Sequence, residues 1–172
     1  MKKITKYLMV AVLMMASVSL VACSKDDDNK TNEETFVASG SYVIHYMNRT
    51  LEPGQTVYHN VTDAEKEADE AMDDFYIENL RDVLLGTRFR VELVSGPASM
   101  KELPVCYGQC KPVTCPYTSD EFYLAHGVDS HPLEIHCYPR EHEAGSVGTY
   151  RITVGVGEAL DDPQVFFLQF SL

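Results

Sequence analysis

The sequence predicts an all-β domain built as a sandwich of two sheets. From residue 36 onward, short runs of alternating apolar and polar residues are separated by turn signals, such as the Pro-Gly pair at 53–54. Seven to nine short strands with turns between them are typical of two sheets packed face to face. Roughly 135 residues remain from that point, which is enough for a single domain with its own core. The predicted domain is therefore 36–172.

Eight segments have the residue types and periodicity of strands: 41–47, 55–61, 75–80, 87–94, 121–125, 133–138, 149–156 and 164–171. Alternation is strictest at 87–94, where three apolar residues alternate with charged ones. The apolar residues are Phe89, Val91 and Leu93. In the last segment the residues expected to face the core are Phe166, Leu168 and Phe170.

Segment 62–74 departs from this pattern and predicts a short helix or an ordered acidic loop. Thr62 and Glu65 have the spacing of a capping box. The apolar residues at helical spacing are Ala64, Ala68, Ala71 and Met72. Seven acidic residues in this segment raise the alternative of a calcium site, but their spacing does not match an EF-hand loop. A solvated acidic face is the preferred interpretation.

The first 22 residues have the pattern of a cleaved secretory signal. Lys2, Lys3 and Lys6 precede an uncharged apolar run at 7–22, which is shorter than the ~20 residues that span a bilayer. The motif at 20–23 is similar to a bacterial lipobox, which ends in an acylated cysteine. We therefore expect Cys23 to carry lipid and to anchor the mature chain to the bilayer. The alternative is an ordinary signal with a chance cysteine at its end.

Residues 23–35 are expected to form the lipidated start and a polar linker. Ser24, rather than Asp, follows the cysteine, so the outer membrane is the expected destination. The segment Ser24, Lys25, Asp26, Asp27 and Asp28 resembles the acidic export tag of Bacteroidota lipoproteins that face the cell exterior. A solvated linker without an export role is the alternative.

The order of motifs in the second half of the chain resembles a group of small exported Bacteroidota proteins. The matching residues are Cys106, Gly108 and Cys110, then His136, Tyr138 and Pro139, then Gly148, Tyr150 and Ile152, then Phe166, Leu168 and Phe170. The resemblance covers about 75–172 and implies an immunoglobulin-like sandwich in an exported protein. It implies no activity. The chain departs from the group in having Cys115 and Cys137 as an additional pair.

Four cysteines follow Cys23, and an even number in an exported chain predicts two disulfides. The spacing alone leaves three connectivities open. The resemblance implies a bond between Cys106 and Cys110, which leaves Cys115 to pair with Cys137.

A metal site is the main alternative for this region. Four cysteines and four histidines lie within 37 residues: Cys106, Cys110, Cys115, His126, His131, His136, Cys137 and His142. Zinc takes four such ligands. However, the cysteine spacings do not form the paired units of structural zinc motifs, and an oxidising compartment favours disulfides. The preferred interpretation therefore has no metal and no cofactor, and the alternative is a lipoprotein that captures metal or haem through region 106–142.

The sequence gives no enzyme signature and indicates a binding or structural role. It has no nucleophile elbow, phosphate-binding glycine loop or zinc-protease motif. The net charge of −12 argues against nucleic acid as a partner. We expect a non-catalytic lipoprotein of the cell envelope or an adhesive assembly, with a protein or glycan ligand. Tyr107, Tyr117 and Tyr123 are the candidate contact surface, with simple loop packing as the alternative.

Overall fold

The computed structural model describes residues 35–172. The predicted signal peptide 1–22, the lipidation site Cys23 and the acidic segment 24–28 lie outside the described residues. Within 35–172, no helix combines the length and apolar character needed to cross a membrane.

Strands dominate the described part of the chain. Their bounds are β1 Tyr42–Tyr46, β2 Arg49–Thr50, β3 Thr56–Asn60, β4 Ala71–Asn79, β5 Leu85–Ser95, β6 Glu102–Tyr107, β7 Gln109–Thr114, β8 Tyr117–Thr118, β9 Phe122–Leu124, β10 Gly127–Val128, β11 Leu133–Cys137, β12 Val147–Val156 and β13 Asp161–Ser171. A helix α1 spans Asp63–Ala68, and short 3-10 turns span Ala98–Lys101 and Pro139–Glu141. Nine of the described strands have five or more residues, which matches the upper end of the predicted number.

These strands form two sheets packed as a sandwich. Sheet A has the order β2-β1-β4-β11-β6-β7, with β10 also paired to β4. Sheet B has the order β3-β13-β12-β5-β8, with β9 also paired to β5. The pairs are antiparallel except β3 with β13, which run parallel. The predicted all-β sandwich of two sheets is confirmed.

The core lies between the two sheets and uses alternate residues of each strand. Phe89 and Val91 of β5 are buried, as the alternation predicts, and Leu93 is partly buried against them. Phe166, Leu168 and Phe170 of β13 are fully buried. The rings of Phe75 and Phe166 meet across the two sheets at 4.6 Å between centroids. Burying each such side chain contributes about 1.5–3 kcal/mol, so this core can hold the sheets together.

The helix is present but shorter than segment 62–74. Thr62 caps it, and Thr62 and Glu65 form the predicted capping box. The helix ends at Asp69, which adopts a left-handed conformation with φ of 59°. From Ala71 the burial alternates with period two, and these residues form the start of β4 rather than an apolar helical stripe. Pairing of β4 with β11 outweighs the helix propensity of the alanines.

The cysteine-rich loop is instead a β-hairpin that the sequence did not predict. β6 and β7 pair in register and turn at Gly108, whose φ of 69° suits glycine. Pro104 and Pro112 argue against strands, yet they lie opposite each other in this pair. Pro112 is tolerated because β7 is the edge strand of sheet A, and Pro104 because it lies outside the part of β6 that pairs with β11, residues 105–107.

Candidate functional site

The β6–β7 hairpin is covalently closed. Cys106 and Cys110 lie directly opposite each other and form the disulfide that the sequence predicted. Cys106 is buried, whereas Cys110 is exposed at the edge of sheet A. The bond therefore holds the hairpin in one register, and solvent can reach it from the side of Cys110.

The second predicted disulfide is not formed. Cys115 and Cys137 are free thiols buried in the core. Burial raises the pKa of Cys115 to about 11 and that of Cys137 to about 12, so both stay protonated at neutral pH. The even count predicted a bond, but a reduced cysteine also packs well as a small apolar residue. Each thiol here has that packing role.

A cleft of about 270 Å³ opens at one side of the sandwich, where β6 and β7 of sheet A face β8 and β9 of sheet B. We call it the edge cleft. Aromatic rings form its walls: Tyr107 and Phe122 lie 4.0 Å apart between centroids, and Phe89 lies 6.1 Å from Tyr117. Exposed polar side chains also line the edge cleft, and these are Gln109, Lys111, Asp120 and Glu121. Ser119 lines it too, but it is buried and accepts a hydrogen bond from the backbone N–H of Phe89.

The structure brings two of the three predicted contact tyrosines into the edge cleft. Tyr107 and Tyr117 line it, and both are also half-buried against the core. Tyr107 donates a hydrogen bond to Asp129, which fixes its ring. Tyr123 is 61% exposed and borders a neighbouring hollow that also contacts Tyr107. The three rings therefore lie along one surface of the domain.

Only part of the cysteine and histidine region comes together. Of its eight members, Cys106, Cys110 and His136 converge, on the face of sheet A that points away from the core. Glu134 joins them, and no sequence pattern pointed to it beyond its place two residues before His136. His126 and His131 are exposed near the second hollow. Cys115 and Cys137 lie in the core instead.

A second polar group lies between the sheets and was not predicted. His59 of β3 bonds Asp73 of β4 through Nδ1 and Glu65 of α1 through Nε2, both at 2.9 Å. The Tyr46 hydroxyl donates to the other oxygen of Asp73 at 2.8 Å. The hydrogen bond to Asp73 is the largest influence on His59 and raises its pKa above the usual value. Both ring nitrogens are occupied by carboxylates, which favours a structural rather than a proton-transfer role.

Comparison with known proteins bears on the fold of this chain. No family model matches the chain, and the search of curated proteins gives no match. Among solved structures, the N-terminal domain of PorA aligns with a TM-score of 0.50 at 17% identity, covering 76% of this chain and 96% of that domain. This likeness supports the sandwich fold and carries no activity over.

Two further solved structures align less well. A PapD-like domain of human CEP192 aligns with a TM-score of 0.41 at 12% identity, over 90% of this chain and 94% of that one. A family 123 glycoside hydrolase from Clostridium perfringens aligns with a TM-score of 0.43 at 10% identity, over 69% of this chain but 23% of the enzyme. Neither likeness bears on the role of the edge cleft.

Proposed function

We propose that this protein is a lipid-anchored outer-membrane protein that binds a neutral glycan in its edge cleft and performs no catalysis. The observation that carries the proposal is the convergence of aromatic rings with polar side chains at the mouth of one cleft. Ligand sites commonly combine an apolar wall with a few polar groups that fix orientation. The lining of the edge cleft has that composition.

The chemistry of the edge cleft fits one sugar unit. The rings of Tyr117 and Phe122 offer flat apolar surfaces for the C–H face of a pyranose. Gln109, Asp120 and Glu121 offer donors and acceptors for hydroxyl groups. The volume of about 270 Å³ is just below the ~300 Å³ at which pockets for whole small molecules begin. The net charge of −12 disfavours an acidic glycan.

The proposed location rests on the sequence of the first 28 residues. A positive start, a short apolar run and a cysteine before a cluster of acids are typical of exported lipoproteins. A domain joined to the membrane anchor by a polar linker would reach ligands beyond the membrane surface. Lipid anchorage and glycan binding together describe a surface accessory of the cell envelope.

A glycan array tests the binding proposal. The purified mature chain should bind neutral glycans, and Tyr117→Ala and Asp120→Ala should each weaken binding to the best one by about tenfold, or about 1.4 kcal/mol. Tyr58→Ala and Asp82→Ala are matched controls, because Tyr58 is 67% exposed on the opposite edge strand of sheet B and the Asp82 side chain is 97% exposed. An array without neutral hits, or equal loss in all four variants, would contradict the proposal.

Fractionation and protease access test the location. Cys23→Ser should leave an unprocessed precursor without a lipid label. Replacement of Asp26, Asp27 and Asp28 by Ala should keep the protein on the membrane but hide it from protease added outside the cells. Normal acylation of the first variant would contradict the anchor, and unchanged protease access of the second would contradict the export tag.

A further inference from the structure

Four side chains form a compact group on the outer face of sheet A, and we call them the disulfide–histidine cluster: Cys106, Cys110, Glu134 and His136. Register brings them together. Cys106 lies directly opposite Cys110 on one side and Glu134 on the other. His136 is two residues beyond Glu134 on β11 and so points to the same face.

The cluster is separate from the edge cleft although both use the same hairpin. Side chains alternate along β6, so Val105 and Tyr107 face the cleft while Cys106 faces away from it. A ligand in the cleft and a ligand at the cluster would therefore occupy opposite faces of sheet A.

Two distances within the cluster are already close to those of a metal coordination shell. Zinc binds sulfur at about 2.3 Å and nitrogen or oxygen at about 2.0–2.2 Å, so neighbouring ligands of a tetrahedral ion lie roughly 3.3–3.8 Å apart. The Nε2 atom of His136 is 3.2 Å from Sγ of Cys106 and 3.3 Å from a carboxylate oxygen of Glu134. All four ligand atoms lie within 4.8 Å of one another. The two sulfurs, bonded at 2.03 Å, must move apart to reach that spacing, and any pair near the 4.8 Å limit must close by about 1 Å.

His136 has a carboxylate partner on the ring nitrogen that faces away from the cluster, as metal-binding histidines usually do. Its Nδ1 atom bonds the carboxylate of Glu70 at 3.0 Å, which leaves Nε2 facing Cys106 and Glu134. A carboxylate behind the ring fixes its orientation and makes the other nitrogen a better ligand. His136 is only 7% exposed, so this orientation is held by packing as well.

The surroundings add negative charge. Asp74 lies opposite Glu134 on β4, and its Oδ1 atom is buried without a hydrogen-bond partner. The carboxylates of Asp74 and Glu134 therefore lie side by side on the outer face of sheet A. A cation at the cluster would relieve this repulsion.

We propose that reduction of the Cys106–Cys110 bond converts the disulfide–histidine cluster into a site for a thiophilic divalent cation such as Zn²⁺. A thiol or phosphine reductant supplies two electrons, the two sulfurs gain two protons, and the reductant leaves as its disulfide or phosphine oxide. The cation then bonds both sulfurs, Nε2 of His136 and one oxygen of Glu134, and the two thiol protons pass to solvent. The oxidised hairpin offers no thiolate and binds no such ion.

Cobalt and zinc titrations test the proposal directly. The mature chain is reduced with a phosphine, which is then removed without air, and Co²⁺ is added. One equivalent should give the thiolate charge-transfer band and the intense visible bands of tetrahedral cobalt, and Zn²⁺ should abolish them. The oxidised chain should show neither band. Binding by the oxidised chain, or no binding after reduction, would overturn the proposal.

Variants assign the ligands. His136→Ala and Glu134→Ala should weaken zinc binding at least about tenfold, since even outer contacts of a metal site contribute about 10–100-fold. Circular dichroism checks that His136→Ala is folded, and Glu134→Ala is a second test at a more exposed position, 28%. His126→Ala is the matched control, because this histidine of the same region is 62% exposed and outside the cluster.

A double variant separates this site from the two buried thiols. Cys106→Ser with Cys110→Ser keeps Cys115 and Cys137 and should lose tetrahedral cobalt binding. Binding that persists in this variant, or affinity unchanged in both His136→Ala and Glu134→Ala, would overturn the assignment. Glycan binding through the edge cleft should be unaffected in His136→Ala and Glu134→Ala, which lie on the other face of sheet A, so failure of one proposal is distinguishable from failure of the other.

Discussion

Removing the imidazole of His59 is expected to lower the free energy of unfolding by about 3 kcal/mol. Asp73 is 4% exposed, so in His59→Ala its carboxylate stays buried with the Tyr46 hydroxyl as its remaining side-chain partner. Breaking a buried ion pair by removing one partner costs about 3–5 kcal/mol. The low end applies because the His59 side chain is 13% exposed and water can relieve part of the cost.

Thermal unfolding measures this loss against a matched variant. At about 2–4 °C per kcal/mol, His59→Ala should lower Tm by about 6–12 °C. His45→Ala removes the same side chain from a 2.7 Å contact with Glu78, but those side chains are 26% and 33% exposed. A surface pair contributes only about 0–1 kcal/mol, so the control should lose about 4 °C at most.

The pH dependence gives a second readout for His59. The contact with Asp73 raises the pKa of His59 in the folded protein above the unfolded value of about 6.5. The ion pair therefore contributes fully below that unfolded value, and its contribution is lost as pH rises through the folded pKa. The difference between wild type and His59→Ala should shrink accordingly. Equal losses in the two histidine variants, or a His59 effect that grows with pH, would refute the buried-pair account.

Three further predictions follow from the core. Cys115 and Cys137 should resist alkylation in the native protein. After denaturation without reductant, mass spectrometry should find both cysteines alkylated. If neither is alkylated, they form the disulfide predicted from the sequence. Gly148→Ala should lower stability to urea by about 1–3 kcal/mol, because its Cβ would meet the end of Met100 at 2.5 Å, and an unchanged midpoint would mean that Met100 moves freely. Tyr42→Phe should lower the free energy of unfolding by about 1–3 kcal/mol in the same assay, because the Tyr42 hydroxyl bonds two buried backbone groups of sheet B. An unchanged midpoint would mean that water takes over the hydrogen bonds of that hydroxyl.

Much of the sandwich could be predicted because strands have a simple side-chain period. β5 and β13 each place every second residue in the core, so their apolar faces are readable in the sequence. The start of β4 was missed because Ala71 and Met72 continue a helix-forming segment, and only pairing with β11 makes them strand. The β6–β7 hairpin was missed because a proline is tolerated at a sheet edge, and edge position is a property of the sheet rather than of the strand.

The candidate sites were predictable only where residues are close in sequence. The Cys106–Cys110 bond spans a three-residue turn and is found by the resemblance of that loop. The approach of His136 to Cys106 depends on the register of β6 against β11, which no local pattern specifies. Glu70 reaches His136 from the turn after α1, 66 residues earlier in the chain. Side chains gathered in this way become visible only when the strand order is known.

The parallel pairing of β3 with β13 has a consequence for how the chain becomes a folded domain. β13 lies between β3 and β12, so residues 56–60 meet their partners only after about a hundred later residues are in place. Long-range pairing is slow to form, because the chain loses loop-closure entropy before the new contacts stabilise it. A chain emerging amino end first, from a ribosome or a membrane channel, would keep sheet B open until β13 appears. We therefore expect nascent chains to keep sheet B incomplete, and to need protection from aggregation, until β13 has emerged.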